Sequence, residues 1–282
     1  MFGAILDIVL GLVLLSRVSE DRRSLQMCAV ASIAALALVL FAFNPDPKLL
    51  ASGVYRFGNT DTLETAEMRY YEDGKTASIA LSEHANAALI VSTNGKSDAA
   101  IQADRSRPYA ADEITMTMLG AMGLAYKSDA ARVANIGMGS GMTTHVVLAK
   151  SEIAAVDTIE IEPAMVEASR LFGEFVARAH EDPRSNIVIE DAKIFFSLHN
   201  SIYDLNIAEP SNPWVSGVAS LFSTEFYRRV TGHLEYDGIF VQWIQLYEFN
   251  DELATSILKA LSENFSDVII FAIDDGNILL IA

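Results

Sequence analysis

The chain has 282 residues, of which 37 are acidic and 20 are basic, and its formal net charge is −17 at pH 7. This length allows one large domain with a smaller one, and the acidic balance disfavours nucleic-acid binding, which requires a basic surface. The single cysteine, Cys28, excludes a disulfide framework and a cysteine-based metal site, and the five histidines show no ligand spacing. We therefore expect neither a nucleic-acid partner nor a metal ion.

The first 45 residues are predicted to form a membrane anchor. From Met27 to Phe43, seventeen residues carry no charge, which is nearly the length that spans a bilayer. The segment Phe2–Leu15 is shorter and contains Asp7, so the number of transmembrane helices, one or two, stays open. A pair of buried core helices is the alternative. Arginines in the loop 16–26 favour a cytoplasmic position for that loop, but the orientation stays open because the first segment need not span.

Residues 46–110 are predicted to form a small antiparallel β domain, which begins after the proline-containing boundary at 44–48. Asp73-Gly74 and Asn94-Gly95 are hairpin signals, because both residue types tolerate positive φ. The predicted strands are Ala66–Tyr71, Thr76–Ser82 and Ala88–Thr93.

Residues 111–282 are predicted to form a Rossmann-like α/β domain. A helix at Ala111–Leu124 precedes alternating strands and helices, and such alternation indicates a mostly parallel sheet covered on both faces. The predicted strands are 132–137, 156–161, 186–190, 203–208 and 238–243, and the predicted helices are 141–150, 163–178, 191–198, 220–234 and 250–263. The last strands, 267–272 and 277–282, flank an Asp-Gly-containing turn, which predicts a hairpin and one antiparallel edge strand.

A glycine-rich turn follows the strand 132–137 and contains Gly137, Gly139 and Gly141. Such glycines let the backbone turn tightly and approach a ligand, although a plain strand-to-helix turn is the alternative. About twenty residues further on, the next strand ends at Glu160, and a carboxylate at this offset accepts hydrogen bonds from ribose hydroxyls. Together these features predict a nucleoside site.

Acidic residues also follow the next two strands of the predicted sheet. Glu190 and Asp191 end the third strand, and Glu209 ends the fourth. Each acid alone could be a helix N-cap, which is the favoured interpretation for Glu162. Because the carboxyl ends of parallel strands meet at one edge of a sheet, we expect the others to converge on one crevice.

In their order, these motifs resemble the spermidine synthase (polyamine aminopropyltransferase) family, which has the fold of S-adenosylmethionine-dependent methyltransferases. The resemblance covers about residues 53–282 and is closest to a membrane-fused bacterial branch. It rests on Tyr70-Tyr-Glu-Asp-Gly, Thr93-Asn-Gly-Lys-Ser-Asp, Ile136-Gly-Met-Gly-Ser-Gly, Glu160-Ile-Glu-Pro and Glu209-Pro-Ser-Asn-Pro-Trp. It implies a bacterial inner-membrane protein with a cytoplasmic catalytic domain, and a homo-oligomer formed through the β domain.

The resemblance also implies roles for individual residues. Glu160 would hold the ribose hydroxyls, and Asp191, preceded by Glu190, would bind the adenine amino group. The turn Gly137–Gly141 would pack against the nucleoside, and Glu209 would be the catalytic base. Asn212 and Trp214 would belong to a gate loop. The sulfonium substrate would be S-adenosylmethionine or its decarboxylated form, and 5′-methylthioadenosine would be released.

The sequence departs from the family pattern at several positions. Ser140 stands where the family has an Asp that binds the donor's aminopropyl amine. Without that carboxylate, the site no longer repels a donor that keeps its own carboxylate, as S-adenosylmethionine does. Glu209 replaces an Asp and is longer by one methylene. The helix segment Thr115–Met118 lacks the polar groups that usually line the acceptor site. Six residues could partly replace these polar groups, namely Lys96, Asp98, Gln242, Gln245, Tyr247 and Glu248. For each of the six, an ordinary surface role is slightly favoured.

Four functions follow as hypotheses. The first is aminopropyl transfer from the decarboxylated donor to putrescine. The second is cleavage of S-adenosylmethionine without an acceptor, either to homoserine lactone or by elimination. The third is methyl transfer, and the fourth is a membrane sensor that binds the nucleoside without turnover. The first two release 5′-methylthioadenosine, whereas methyl transfer would leave S-adenosylhomocysteine.

Overall fold

The computed structural model describes residues 2–18, 22–42, 46–213 and 217–282, which divide into two compact units, 1–46 and 47–282. The first unit contains helices α1 (Phe2–Val18) and α2 (Arg22–Ala42). Within the described chain, no helix combines the length and apolar character needed to cross a membrane. The predicted transmembrane anchor and the predicted inner-membrane location are therefore wrong.

For helix α1, length and charge explain this result. A span needs about 20 consecutive, mainly apolar residues. Helix α1 has 17 residues and includes Asp7 and Arg17, and the 21 residues of α2 begin with two arginines. The uncharged run that suggested a span also ends at Phe43, which lies outside the described residues.

The second unit begins with short helices α3 (Pro47–Ala51) and α4 (Val54–Phe57) and then forms a four-stranded antiparallel sheet in the order β1-β2-β3-β4. Its strands are β1 (Glu67–Asp73), β2 (Ser78–Glu83), β3 (Ala88–Thr93) and β4 (Lys96–Gln102). The turn between β3 and β4 has positive φ at Asn94 and Gly95, as the Asn-Gly pair predicts. Sequence analysis assigned no strand after this turn, so β4 is an addition.

A seven-stranded mixed sheet forms the rest of the unit. Its strands are β5 (Arg132–Ile136), β6 (Ala155–Glu160), β7 (Ser185–Ile189), β8 (Tyr203–Ala208), β9 (Leu234–Gln245), β10 (Ile269–Asp274) and β11 (Asn277–Ile281). Its helices are α5 (Ala111–Tyr126), α6 (Met142–Val147), α7 (Pro163–Arg170), α8 (Ala177–Glu181), α9 (Ala192–Leu198), α10 (Thr224–Thr231) and α11 (Asp251–Ser262). The α/β fold of the Rossmann type is thus confirmed.

The strand order of this sheet is β10-β11-β9-β8-β5-β6-β7, and strands β5 to β9 pair in parallel. Chain order therefore reverses between β5 and β8, and open α/β sheets bind ligands at this switch point. The predicted C-terminal hairpin is present, but its antiparallel strand β11 lies between β9 and β10 rather than at the edge.

Two predicted helices are shorter in the structure for local reasons. The helix expected at 163–178 ends at Arg170, because Gly173 adopts a φ of 60° and a 3₁₀ turn follows before α8. The helix expected at 220–234 starts only at Thr224, where the hydroxyl of Ser223 accepts a hydrogen bond from the N–H of Phe226. Strand β9, in turn, is longer than predicted and begins at Leu234.

A buried cluster joins the antiparallel sheet to the Rossmann-like part. Leu81, Val91 and Ile101 from the sheet pack with Met138 of the glycine-rich turn and with Met142, which begins α6. The residues of this cluster are predominantly apolar, so contact with the second sheet removes apolar area from water and stabilises both parts together. The predicted domain boundary at residue 110 stays a prediction, since both sheets lie within the second unit.

Candidate active site

A cavity of about 340 Å³ opens at the carboxyl ends of β5, β6 and β8, which is the edge where acidic residues were expected. This size is within the range of small-molecule sites. Of the predicted residues, those that line it are Asp98, Gly137, Gly139, Glu160, Glu190, Asp191, Glu209 and Gln245. The fold therefore brings side chains from four strand ends and from the antiparallel sheet to one cavity.

The glycine-rich turn forms one wall of this cavity. Gly137, Gly139 and Gly141 all have positive φ, of 99°, 50° and 89°. A Cβ on Gly137 would stand 3.0 Å from the carbonyl oxygen of Glu209 and 3.2 Å from its Cγ. Glycine at 137 is thus required twice, by the backbone conformation and by the close approach of Glu209.

Glu160 holds the turn in its conformation. Its Oε2 accepts a hydrogen bond from the N–H of Met138 at 2.9 Å, and its Oε1 accepts one from the N–H of Glu162 at 2.8 Å. Burial raises the pKa of this carboxyl, and these backbone donors oppose the rise. Each oxygen has a second lone pair, so the anchored carboxylate can still accept hydrogen bonds from a ligand's hydroxyl groups.

Asp191 has a structural role as well as a position in the cavity wall. It is the N-cap of α9, and its Oδ1 accepts hydrogen bonds from the N–H groups of Lys193 and Ile194 at 2.8 and 3.2 Å. The Lys193 ammonium also lies 4.0 Å from Oδ2 and lines the cavity. The preceding Glu190 lies 3.9 Å from a ring nitrogen of His199.

Glu209 is a buried acid of the cavity wall and is 9% exposed. Its Oε1 accepts a hydrogen bond from the Asn135 side chain at 2.7 Å, and its Oε2 accepts one from the Thr143 hydroxyl at 2.9 Å. Burial raises the pKa of Glu209 to about 8, the two hydrogen bonds oppose this, and the charge of Glu160 adds to it. A carboxyl with such a pKa can take up a proton near neutral pH.

Lys96, Asp98 and Ser211 form a polar network on the side of the cavity that faces β4. Lys96 is 4% exposed, and its ammonium donates to Asp98 Oδ1 at 2.8 Å and to Ser211 Oγ at 3.0 Å. Burial lowers the pKa of Lys96, but the charge and hydrogen bond of Asp98, together with the contact to Tyr247, outweigh burial and the pKa is raised. Next to this network, the Tyr247 hydroxyl contacts Asn212 Oδ1 at 3.0 Å and Gln245 Oε1 at 2.6 Å.

Several predicted residues do not line the cavity. The Ser140 hydroxyl is buried against the sulfur of Met116 at 3.2 Å, and Gly141 lies beneath the turn, against Met138. Gln242 is buried and bonds to Tyr227 instead. Tyr247 donates a hydrogen bond to Asn212, and neither residue lines the cavity. Trp214 lies outside the described residues. Within the described ranges, no group of three or more potential ligands could hold a metal ion.

Sequence reasoning missed other residues of the site, notably Asn135, Thr143, Lys193 and Trp243. Asn135 is a polar residue within an apolar strand, a pattern that indicates a buried hydrogen-bond network and could have been used. Trp243 lines the cavity and donates its indole N–H to Asn277 at 2.9 Å, but sequence analysis named only its neighbours Gln242 and Gln245 in β9. Its position depends on strand order alone.

Comparison with known proteins identifies the family of the chain. Residues 113–273 match the spermine/spermidine synthase domain. The chain belongs to that family. Among the curated relatives, the polyamine aminopropyltransferase of Caldicellulosiruptor saccharolyticus is 28% identical over 134 residues, which are 48% of this chain and 48% of that protein. The chain thus spans about half the length of the curated relatives it matches.

Solved structures extend the family resemblance to the fold. The spermidine synthase of Thermotoga maritima superposes with a TM-score of 0.65 at 18% identity, covering 76% of this chain and 72% of that one. Human methyltransferase-like protein 13, in complex with SAH, superposes with a TM-score of 0.50 at 18% identity, covering 60% and 80%. At this identity the likeness shows the fold alone, which is the methyltransferase-like fold that the spermidine synthase family shares.

Proposed function

We propose that this protein is an aminopropyltransferase that uses decarboxylated S-adenosylmethionine as donor and an amine such as putrescine as acceptor. The observation that carries the proposal is the cavity at the switch point of the sheet, where the glycine-rich turn, Glu160, Asp191 and Glu209 meet. Family membership over residues 113–273 supports the same reaction. Curated relatives that match part of the chain are named polyamine aminopropyltransferases.

The cavity residues suit the steps of this reaction. The amine nitrogen attacks the propyl carbon next to the sulfonium, a C–N bond forms, and the C–S bond breaks with its electron pair on sulfur. The leaving group, 5′-methylthioadenosine, is neutral. Glu209 would take the proton from the attacking amine, and its raised pKa suits a base that works near neutral pH. Glu160 would hold the ribose hydroxyls, and Asp191 would bind the adenine amino group.

The acidic wall also suits the charge of the substrates. Asp98, Glu160, Glu190, Asp191 and Glu209 all line the cavity. A sulfonium donor and an ammonium acceptor are both cations, and carboxylates stabilise them. Trp243 adds an aromatic side chain to the same wall, and aromatic faces attract cations.

A product assay tests the proposal. The purified protein is incubated with decarboxylated S-adenosylmethionine or with S-adenosylmethionine, each with and without putrescine, and the nucleosides are separated. We expect 5′-methylthioadenosine only with the decarboxylated donor and putrescine together. Its release from S-adenosylmethionine alone would indicate acceptor-free cleavage. S-adenosylhomocysteine would indicate methyl transfer, and binding without any product would indicate a nucleoside sensor.

A homo-oligomer stays a prediction that rests on the family resemblance. Light scattering coupled to size-exclusion chromatography measures the mass in solution. A mass that is a multiple of the 30.7 kDa chain would support an oligomer, whereas the mass of one chain would contradict it.

A further inference from the structure

Asp98 stands at an irregularity of the antiparallel sheet. Ala99 pairs with Val91 and Ser97 pairs with Ser92, so Asp98 is an extra residue that no residue on β3 opposes. Such β-bulges redirect a side chain and occur often next to active sites. The Asp98 side chain lines the cavity, and the neighbouring Ala99 Cβ lies 3.7 Å from where a Cβ would stand on Gly139. The bulge thus brings a carboxylate to the cavity beside the glycine-rich turn.

The two oxygens of this carboxylate differ in their contacts. Oδ1 accepts hydrogen bonds from the Lys96 ammonium at 2.8 Å and from the Ser211 hydroxyl at 3.2 Å. Among the described residues, none donates a hydrogen bond to Oδ2, and the side chain is 15% exposed. Because Lys96 is itself buried, it fixes the orientation of Oδ1, and Oδ2 is left for a ligand.

The charges around Asp98 favour a ligand cation. Burial raises the pKa of Asp112 to about 6, Lys96 opposes the rise, and the charge of Asp98 adds to it. The charge of Asp98 likewise adds to the raised pKa of Glu160, for which burial is the main cause. Lys96 therefore lies among several carboxylates, and a bound cation would relieve the repulsion between them.

We propose that Asp98 Oδ2 binds the terminal ammonium of the donor's three-carbon chain and makes the site selective for a donor without a carboxylate there. This inference rests on the proposed function. Ser140 does not take this role, since its hydroxyl is buried against Met116. S-adenosylmethionine carries a carboxylate on the carbon that bears its amino group, and Asp98 would repel it. The site therefore prefers the decarboxylated donor despite the serine at 140, and Lys96 is a positioning residue for Asp98.

Equilibrium binding tests the inference without turnover. Isothermal titration calorimetry measures the affinity of decarboxylated S-adenosylmethionine, S-adenosylmethionine and 5′-methylthioadenosine, the last of which has no ammonium. For the wild type we expect the decarboxylated donor to bind more tightly than S-adenosylmethionine. In Asp98→Asn, the decarboxylated donor should bind about 10- to 100-fold more weakly, as expected for loss of a hydrogen bond between charged groups. The affinity for 5′-methylthioadenosine should stay within about twofold.

Two further variants keep the result unambiguous. Glu67→Gln removes the same charge from an exposed side chain of β1 and should leave all three affinities unchanged. Asp98→Asn leaves the Lys96 ammonium buried without its partner, which can unfold a protein. The double variant Asp98→Asn with Lys96→Met removes both charges and should show the same selective loss of the decarboxylated donor.

Three results would overturn the inference. One is an unchanged affinity of Asp98→Asn for the decarboxylated donor, and another is an equal loss for 5′-methylthioadenosine, which would mean a structural role. The third is a wild type that binds S-adenosylmethionine as tightly as the decarboxylated donor. A wild type that binds no nucleoside at all would instead overturn the proposed function, and the inference would fail with it.

Discussion

At the scale of single residues, the site depends on how the fold treats Glu209. The carboxyl is buried, yet both of its oxygens receive a hydrogen bond, one from Asn135 and one from Thr143. Thr143 also lies 3.3 Å from the carbonyl oxygen of Met116. Its hydroxyl can therefore donate to the ionised carboxylate, or turn to Met116 and accept from the protonated carboxyl. Both protonation states of Glu209 thus have partners, as a residue that exchanges a proton requires.

The pH dependence of turnover follows from the raised pKa of Glu209, which is about 8. A general base acts only when it is deprotonated, so kcat/KM should rise about tenfold per pH unit below this value and level off above it. The acceptor amine should titrate near a pKa of about 10, as a lysine does, so the two steps are separable. Initial rates between pH 6 and 9 measure the profile.

Glu209→Gln provides the control for this profile. It should lower kcat by about 10²- to 10⁴-fold, the usual contribution of a general base, and remove the step near pH 8. A glutamine variant that keeps the same inflection would show that another group titrates there.

Gly137 should tolerate no larger residue. In Gly137→Ala, the Cβ must fit 3.0 Å from the carbonyl oxygen of Glu209 while the backbone keeps a φ of 99°. Gly58→Ala is the matched control, since Gly58 has a φ of 70° and nothing within 4 Å of the added Cβ. The control should lose about 1–2 kcal/mol of unfolding free energy for the left-handed conformation. Gly137→Ala should lose more, measured by urea unfolding, and its nucleoside binding should fall. Equal losses in the two variants would contradict the close approach.

At the scale of elements, Glu162 connects the antiparallel sheet to the Rossmann-like part. It caps helix α7 by accepting a hydrogen bond from the N–H of Ala164 at 3.1 Å. Its other oxygen accepts from the N–H and the hydroxyl of Thr76, in the turn between β1 and β2, at 2.6 and 2.7 Å. Sequence analysis favoured the capping role for this acid and did not anticipate the contact with Thr76. Because Thr76 lines the cavity, the contact also shapes the site.

Glu162→Gln should destabilise the second unit. Glutamine offers one acceptor oxygen in place of two, so either the helix cap or the contact with Thr76 is lost, at about 1–3 kcal/mol of unfolding free energy. Urea unfolding at pH 7 measures the change. Glu167→Gln is the control, because its side chain is exposed on the same helix and should change stability by less than about 0.5 kcal/mol. Equal effects of the two changes would contradict the role of Glu162.

The pKa of Glu162 gives this contribution a pH dependence. Burial acts to raise the pKa, but the hydrogen bonds from Thr76, Ala164 and Lys75 together outweigh burial and the pKa is lowered. A carboxyl with a lowered folded-state pKa stabilises the protein above its unfolded pKa of about 4.3, and this stabilisation is lost as pH falls through the folded value. The difference between wild type and Glu162→Gln should therefore shrink in acid.

At the scale of the whole molecule, the chain consists of two units that divide at residue 46. The cavity and the described contacts of its lining residues all belong to residues 47–282. Removal of residues 1–46 should therefore leave the thermal midpoint of the remaining protein and its affinity for 5′-methylthioadenosine unchanged. Differential scanning calorimetry and titration calorimetry measure the two quantities. A large drop in either would show that the first unit supports the fold of the second.

Much of the second unit could be predicted from sequence. The strand–helix alternation and the hairpin signals depend on local residue patterns, so β2, β3, β5 and β8 lie within one or two residues of the prediction. Helix ends were less accurate where a single backbone conformation decided them, as at Gly173. The membrane prediction depended on an uncharged run alone, and no helix in the described ranges meets the requirements of a span.

What the sequence by itself determined was the set of residues at the carboxyl ends of the parallel strands: the glycine-rich turn, Glu160, Asp191 and Glu209. Strands that alternate with helices pair in parallel, which brings such ends to one edge of the sheet. Only the tertiary structure decided which polar groups face them. Asn135 and Thr143 donate hydrogen bonds to Glu209, and the bulge at Asp98 places a carboxylate in the cavity wall. The Ser140 hydroxyl is buried against Met116. These contacts join residues far apart in the chain, and their geometry depends on strand register and packing, which local patterns do not encode.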